Sequence, residues 1–181
     1  TRRPNRKFWL TRDVKKAVAY LTTPPEVTKA AHVLWPRADE VVRILTSTKG
    51  KNMYFDIETN RSLEMTCFGF SFDEKRAWCV PMVVSPREGY YYSDTPRILR
   101  ALAVAMRDNT TVIHNSLFDL FVMGYKYGIP APRRVYDTML AHHRLFPEVE
   151  KSLGHCLSLY TDQPYHKNEG VFEAHGHEQQ T

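Results

Sequence analysis

Three β-rich runs follow one another between residues 52 and 84, and this succession limits the possible fold more than any other feature. The first run, NMYFDI (52–57), has few polar residues and predicts a strand that is buried on both faces. The next two, EMTCFGFSF (64–72) and RAWCVPMVV (76–84), are separated only by the turn DEK and predict a hairpin. A sheet that begins in this way is antiparallel in its first part.

Helical periodicity flanks these strands on both sides. A short apolar run at 31–35 predicts a strand, and Val41, Val42 and Leu45 lie on one face of a helix that Gly50 ends. After the hairpin, a helix is predicted at 95–109, with Thr95 as its N-cap and Pro96 in its first turn. A strand at 110–115 follows, and then a helix at 116–127 that Gly128 ends. Two more helices are predicted at 137–146 and 151–162. This order predicts an α/β fold with a mixed sheet of about five strands flanked by helices.

The N-terminal segment, residues 1–30, is predicted to be a basic appendage with a short helix at 11–21. Residues 1–51 hold 12 of the 25 Lys and Arg residues but only 4 of the 20 acids. Two interpretations stay open: the segment contacts a polyanion, or it is a solvated arm.

Composition excludes several classes of protein. The 181-residue chain is 43% hydrophobic, which is typical of a globular protein and not of a disordered one. No apolar stretch approaches the roughly 20 residues that span a bilayer, and the N-terminus lacks the apolar core of a signal peptide. Three widely spaced cysteines predict free thiols in a reducing compartment and no zinc site. We therefore expect a cytoplasmic protein (in the host cytoplasm if a phage encodes it) with no membrane partner.

Two acids, Asp56 and Glu58, end the first β-rich run. Side chains two residues apart in a strand point to the same face, so the two carboxylates aim at one place. Either they form an acidic turn, or they hold a hard cation such as Mg²⁺ or Mn²⁺. A second segment, VIHNSLFDLF, also passes from strand to helix and carries Asp119 one turn after Asn115. Asp119 is either an ordinary first-turn acid or a partner of the first pair.

Taken together, these segments resemble the DEDD, or DnaQ-like, family of 3′–5′ exonucleases. YFDIET is similar to the family's first motif and HNSLFD to its second, with the Asn and Asp at the family's spacing. YDTML (136–140) and KSLGHCLSLYTDQPYHKNEG are similar to the segments that follow in the proofreading domains of family A DNA polymerases, especially those of phages. The resemblance covers roughly residues 31–170.

The resemblance implies a ribonuclease H-like exonuclease fold and a two-metal site that releases 5′-mononucleotides. Asp56, Glu58 and Asp119 would be the catalytic carboxylates and the ligands of two Mg²⁺ or Mn²⁺ ions. Asp137 is better interpreted as a helix N-cap than as a ligand.

The implied substrate is the single-stranded 3′ end of DNA during proofreading in DNA replication, with a polymerase domain following this chain. Thr59 would lie beside the terminal nucleotide, Leu63 would wedge against the terminal bases, and Asn115 would contact the strand or position the second-motif acid. Arg61 and Lys167 are candidates for backbone contacts, or else ordinary solvated charges.

One family motif, a fourth Asp preceded by Tyr or His, does not stand at its expected place. Tyr165 and Glu169 give a similar spacing but in a loop-like stretch, and Asp162 alone is weaker. We expect the motif to lie beyond Thr181, so that the second domain, 31–181, is truncated before it. Two alternatives therefore stay open: a catalytically incomplete nucleic-acid-binding or structural module of a polymerase, and a ribonuclease D-like enzyme that trims RNA.

Overall fold

The structure, a computed structural model, describes residues 6–24, 30–82 and 93–163. They belong to two compact units: a sheet unit, residues 29–141, and a helical unit, residues 1–28 together with 142–181. The elements in chain order are α1 (Arg6–Thr22), β1 (Ala31–Leu34), α2 (Ala38–Ser47), β2 (Asn52–Thr59), β3 (Met65–Ser71), β4 (Arg76–Pro81), α3 (Thr95–Asp108), β5 (Thr110–Ile113), α4 (Ser116–Tyr127), β6 (Val135–Asp137), α5 (Thr138–Leu145) and α6 (Leu153–Tyr160).

The sheet unit is built on one six-stranded mixed sheet with the order β1-β4-β3-β2-β5-β6. The pairs β2–β3 and β3–β4 are antiparallel, which confirms the predicted hairpin. The pairs β1–β4, β2–β5 and β5–β6 are parallel. The mixed sheet and its flanking helices therefore confirm the predicted fold class.

The core lies on one face of the sheet. Met53, Phe55 and Ile57 of β2 are buried there with Phe68 and Phe70 of β3, and the same cluster includes apolar side chains of α2 and α3. The other face of β2 carries Tyr54, Asp56 and Glu58, which are exposed.

The prediction that β2 is buried on both faces is wrong. Its apolar run conceals a strict alternation, because Tyr54, Asp56 and Glu58 stand at every second position. A strand of this pattern has one face in the core and one face available to a ligand.

Two other predictions need correction. Asp94, and not Thr95, is the N-cap of α3, although Pro96 does lie in the first turn. The sheet has six strands and not about five, since the sequence did not predict β6. This strand has only three residues, and Val135 and Tyr136 are exposed, so its sequence carries no apolar run. Gly128 ends α4 as predicted, with the positive φ of 63° that glycine adopts without strain.

In the helical unit, α1 extends beyond the predicted 11–21 and packs through polar side chains. Arg12 donates to the carbonyl of Leu159, and Lys16 donates to those of Ser158 and Thr161 at 3.0 and 2.6 Å. These carbonyls belong to the last turn of α6 and the residue after it, where helix carbonyls lack helical partners. Val14, Val18 and Leu21, whose spacing predicted the helix, are exposed.

The helical unit also contains a buried histidine. His142 is 2% exposed and lies between the hydroxyl of Tyr160 and the carbonyl of Glu150, whereas His143 is exposed. All three cysteines are free thiols, as the sequence predicted. Among the described residues, no helix is both long and apolar enough to cross a bilayer.

Candidate functional site

The exposed face at the end of β2 carries the two acids of the first motif. Asp56 and Glu58 point to the same side of the sheet, and Ile57 between them points into the core. The pairing of β2 with β5 has its last partners at Tyr54 and Val112, because the chain then turns away into α4. The end of β2 is thereby left open toward the first turn of that helix.

Asp119 occupies this opening. Its side chain is only 3% exposed, and its Oδ1 accepts a hydrogen bond of 3.1 Å from the backbone N–H of Ile57. The acid of the second motif is therefore anchored to the residue that separates Asp56 from Glu58. This contact joins segments 62 positions apart and brings the two predicted motifs together.

The electrostatics of Asp119 indicate crowding of negative charge. The pKa of Asp119 is raised to about 6: burial is the largest cause, the charge of Asp56 acts in the same direction, and the hydrogen bond from Ile57 opposes the shift. Asp137 adds a smaller contribution in the same direction as Asp56. Two neighbouring carboxylates favour a cation between or beside them, which would favour the charged form of Asp119.

Glu58 is placed differently. It pairs with Cys67 of β3 across the sheet, and burial, the neighbouring Cys79 and then the charge of Glu58 raise the pKa of the Cys67 thiol to about 11. Within the parts of the chain that the structure describes, no three His, Cys, Asp or Glu side chains are grouped so that they could hold a metal ion. The structure thus brings Asp56 and Asp119 together, and the role of Glu58 as a third ligand stays a prediction.

The donor set nevertheless fits the predicted metal. Mg²⁺ and Mn²⁺ prefer oxygen ligands and keep several waters, so they bind through one or two carboxylates plus substrate phosphates. Asp56 and Asp119 supply such carboxylates on adjoining elements, and Glu58 shares the face of Asp56. The chemistry of these oxygens suits a hard divalent cation and not zinc.

The last residue of β2 and the loop after it include three of the residues predicted to touch substrate: Thr59, Arg61 and Leu63. Glu58 pairs with Cys67 and Thr59 pairs with Met65, so Thr66 of β3 is an extra residue and forms a β-bulge. Such bulges change the direction of the side chains beside them. Leu63 has a φ of +60°, which is unusual for a non-glycine residue, and its side chain is half-buried against the core. The side chain of Asn60 holds this turn by accepting from the N–H groups of Ser62 and Glu64.

The other predicted residues fall in several places. Asn115 is the exposed N-cap of α4 in the left-handed conformation, and Arg61 is exposed on the loop after β2. Asp162 is held in the helical unit by Lys16 at 3.2 Å and by the hydroxyl of Tyr20. Tyr165, Lys167 and Glu169 lie outside the described residues.

Sequence reasoning found only part of the role of Asp137. It caps α5, as predicted, through the N–H groups of Met139 and Leu140 at 2.8 and 3.1 Å. It also accepts from Ser116 at the start of α4, a contact between positions 21 apart that no local pattern signals.

Comparisons with known proteins bear on the fold. No protein-family model matches the chain, and no curated protein is significantly similar to it in sequence. Solved structures do match: a nuclease in its apo form (17% identity, TM-score 0.53), the EXO domain of Nibbler from Aedes aegypti (14%, 0.58), and RNase D from Escherichia coli, an exoribonuclease involved in structured RNA processing (16%, 0.56).

These matches cover 80%, 80% and 78% of this chain. They cover 66%, 77% and 36% of the three structures, so the chain spans just under two thirds of the first and little more than a third of RNase D. The chain has a six-stranded mixed sheet flanked by helices, and nuclease structures match it over most of the chain. This is the ribonuclease H-like fold of exonuclease domains.

Proposed function

We propose that this chain is a metal-dependent 3′–5′ exonuclease domain that hydrolyses the terminal phosphodiester of a single-stranded nucleic acid. The observation that carries the proposal is the anchoring of buried Asp119 on the N–H of Ile57, between Asp56 and Glu58. A buried carboxylate beside a second one is costly unless a cation is used there.

Each carboxylate has a distinct task in this mechanism. Asp56 and Asp119 would hold the divalent ions, and Glu58 would complete the ligand set from the same face of β2. Bound there, such ions would supply an activated water molecule and positive charge for the leaving 3′ oxygen. Burial of Asp119 and its backbone anchor keep this ligand in one orientation, so that little reorganisation is needed during the reaction.

The turn after β2 would receive the terminal nucleotide. Leu63 presents an apolar side chain from a strained backbone conformation, which Asn60 maintains. Thr59, beside the bulge, would contact the last nucleotide, and Asn115 would contact the strand from the start of α4. Arg61 is an exposed cation on the same loop and would contact the phosphate backbone.

Two substrates are proposed, each for a stated reason. DNA proofreading beside a polymerase is supported by the motifs YFDIET, HNSLFD and YDTML. RNA trimming is supported by the likeness of the fold to E. coli RNase D. The two differ in the 2′-hydroxyl of the terminal nucleotide, which only RNA offers to the protein.

The decisive experiment follows 5′-labelled single strands of DNA and RNA with Mg²⁺ or Mn²⁺ present. We expect stepwise shortening from the 3′ end, with a preference for one of the two strands. Asp56→Ala should abolish shortening, whereas Glu74→Ala, which removes an exposed acid from the β3–β4 turn, should leave it unchanged. Binding of the strands without shortening would favour the alternative, a catalytically incomplete binding module.

A further inference from the structure

Asp137 joins the beginnings of two helices. It is the last residue of β6 and pairs with Ile113, the last residue of β5, so it stands where α4 and α5 both begin. Its Oδ2 accepts from Ser116 N–H at 2.7 Å and Ser116 Oγ at 2.8 Å, and its Oδ1 accepts from the N–H groups of Asn115 at 3.3 Å, Met139 at 2.8 Å and Leu140 at 3.1 Å.

This arrangement satisfies helix N–H groups that have no partner within their helices. The side chain of Asn115, the N-cap of α4, makes no capping hydrogen bond, so Asp137 supplies the missing acceptor from another element. Burial opposes the charge of Asp137, but the hydrogen bonds from Ser116, Leu140 and Asn115 together outweigh it, and the pKa of Asp137 lies below its ordinary value. With five donors on its two oxygens, this carboxylate is not available to a metal ion.

The first turn of α4 is the part of the molecule that carries Asp119. Ser116 precedes Asp119 by one helical turn, and Asn115 has a left-handed φ of +66°, which asparagine tolerates better than most residues. A second hydrogen bond, between His114 Nδ1 and Thr138 Oγ1 at 2.9 Å, links the same two segments. The direction in which α4 leaves β5 therefore depends on groups at the start of α5.

We propose that Asp137 is a positioning residue of the nuclease site: it holds Asn115 and Ser116 so that Asp119 reaches the Ile57 N–H. This inference rests on the proposed function for its catalytic consequence. The structural part of the inference is that the Asp119–Ile57 contact depends on Asp137, and this can be tested without any activity.

Asp137→Asn separates the two jobs of the side chain. Asparagine is a good N-cap, so its one carbonyl oxygen can still serve Met139 and Leu140. Its amide nitrogen cannot accept from Ser116, so both bonds from Ser116 are lost and only the 3.3 Å bond from the Asn115 N–H still links it to α4. Ser116→Ala removes only the hydroxyl bond, and Ser116→Thr restores a hydroxyl. Ser152→Ala, which removes the side-chain cap of α6, is the matched control for loss of a helix cap elsewhere.

The first measurement is the hydrogen-exchange rate of the Ile57 amide in the metal-free full chain, with Asp119→Ala as the reference for complete loss of the contact. We expect Asp137→Asn to accelerate exchange about tenfold or more, Ser116→Ala to do so less, and Ser116→Thr and Ser152→Ala to leave it unchanged. An unchanged rate in Asp137→Asn would overturn the inference.

The second measurement is nuclease kinetics and Mn²⁺ affinity. Loss of a residue that orients a metal ligand typically costs about 10–100-fold in activity or metal affinity, and we expect this loss in kcat for Asp137→Asn with KM for the strand little changed. If the wild-type chain neither binds Mn²⁺ nor cleaves, the proposed function fails, and the amide exchange alone decides the inference. If the wild type cleaves and Asp137→Asn cleaves equally fast, the inference fails and the proposed function survives.

Discussion

Two groups of charged side chains, one in each unit, are arranged in opposite ways. At the start of α4, the carboxylates of Asp56, Asp119 and Asp137 lie close enough for the first and third to raise the pKa of the second. At the end of α6, Lys16 lies 3.2 Å from Asp162, and hydrogen bonds from Tyr20 and Lys16 hold the pKa of Asp162 below its usual value. Like charges lie together at the start of α4, and opposite charges pair at the end of α6.

The difference separates charges that folding accounts for from charges that it does not. Paired charges at a helix end reduce the free energy of the folded chain, so folding alone accounts for them. A buried carboxylate with a raised pKa does the reverse, and such groups concentrate at functional sites. The predictions below test this contrast by removing charge from each region.

The largest effect is expected from Asp119→Asn. The amide keeps an acceptor for the Ile57 N–H but loses the negative charge that would hold the metal. We expect nuclease activity to fall by about 100-fold or more, since even the loss of a group that only orients a ligand costs up to that much. The measurement is the initial rate of strand shortening at saturating Mg²⁺. Activity within a factor of two of the wild type would remove Asp119 from the mechanism.

The same substitution should stabilise the metal-free fold above pH 6. The pKa of Asp119 is about 6 in the folded chain against an ordinary 3.8, so its contribution favours folding below pH 3.8 and is lost as the pH rises through about 6. In EDTA at pH 8, Asp119→Asn should therefore raise Tm by roughly 2–5 °C. Near pH 4 the difference should disappear. A lower Tm at pH 8 would show that the charge is already balanced without metal.

In the helical unit, Lys16→Met should weaken the fold and spare the chemistry. Methionine keeps most of the apolar stem but loses the bonds to the carbonyls of Ser158 and Thr161. We expect faster hydrogen exchange at the end of α6 and a Tm lower by roughly 2–4 °C. Lys15→Met, on an exposed position of the same helix, is the control. A loss of nuclease activity as large as that of Asp119→Asn would break the contrast between the units.

The smallest effect is expected from Asp162→Asn. The pKa of Asp162 is lowered, so its contribution to stability is present above its ordinary pKa and is lost as the pH falls through the folded-state value. Because the group is exposed and screened by solvent, we expect Tm at neutral pH to fall by only about 1–2 °C, and less at 1 M salt. Equal effects at low and high salt would point to the bond from Tyr20 and not to charge.

The sequence predicted those parts of the fold in which local pattern decides the structure. The hairpin of β3 and β4, α3 with its early proline, and α4 with Gly128 at its end all carry their signals within a few residues. β6 has no such signal, because this three-residue strand forms through its parallel pairing with β5 and not through apolar residues of its own. The alternation in β2 was present but was outweighed by the apolar character of the run.

For the candidate site, the sequence predicted three acids, and the structure shows how one of them, Asp119, is anchored near Asp56. The proximity of Asp56 and Asp119 follows from two motifs at the ends of neighbouring strands. The bonds from Ser116 to Asp137 do not follow from any motif, since they depend on the parallel register of β5 and β6. In α1, Arg12, Lys16 and Tyr20 have the spacing of an ordinary solvated face, and only the position of α6 gives them partners.

The group that anchors Asp119 is a main-chain amide, so the anchor does not depend on which side chain stands at position 57. Every residue type except proline provides the same N–H at position 57, so exchanging Ile57 for another apolar residue leaves the anchor in place. Proline is excluded already, because it would interrupt an inner strand of the sheet. Substitutions at Ile57 therefore leave the contact intact, and the selective pressure to keep it falls on Asp119 and on the residue proposed to position it, Asp137.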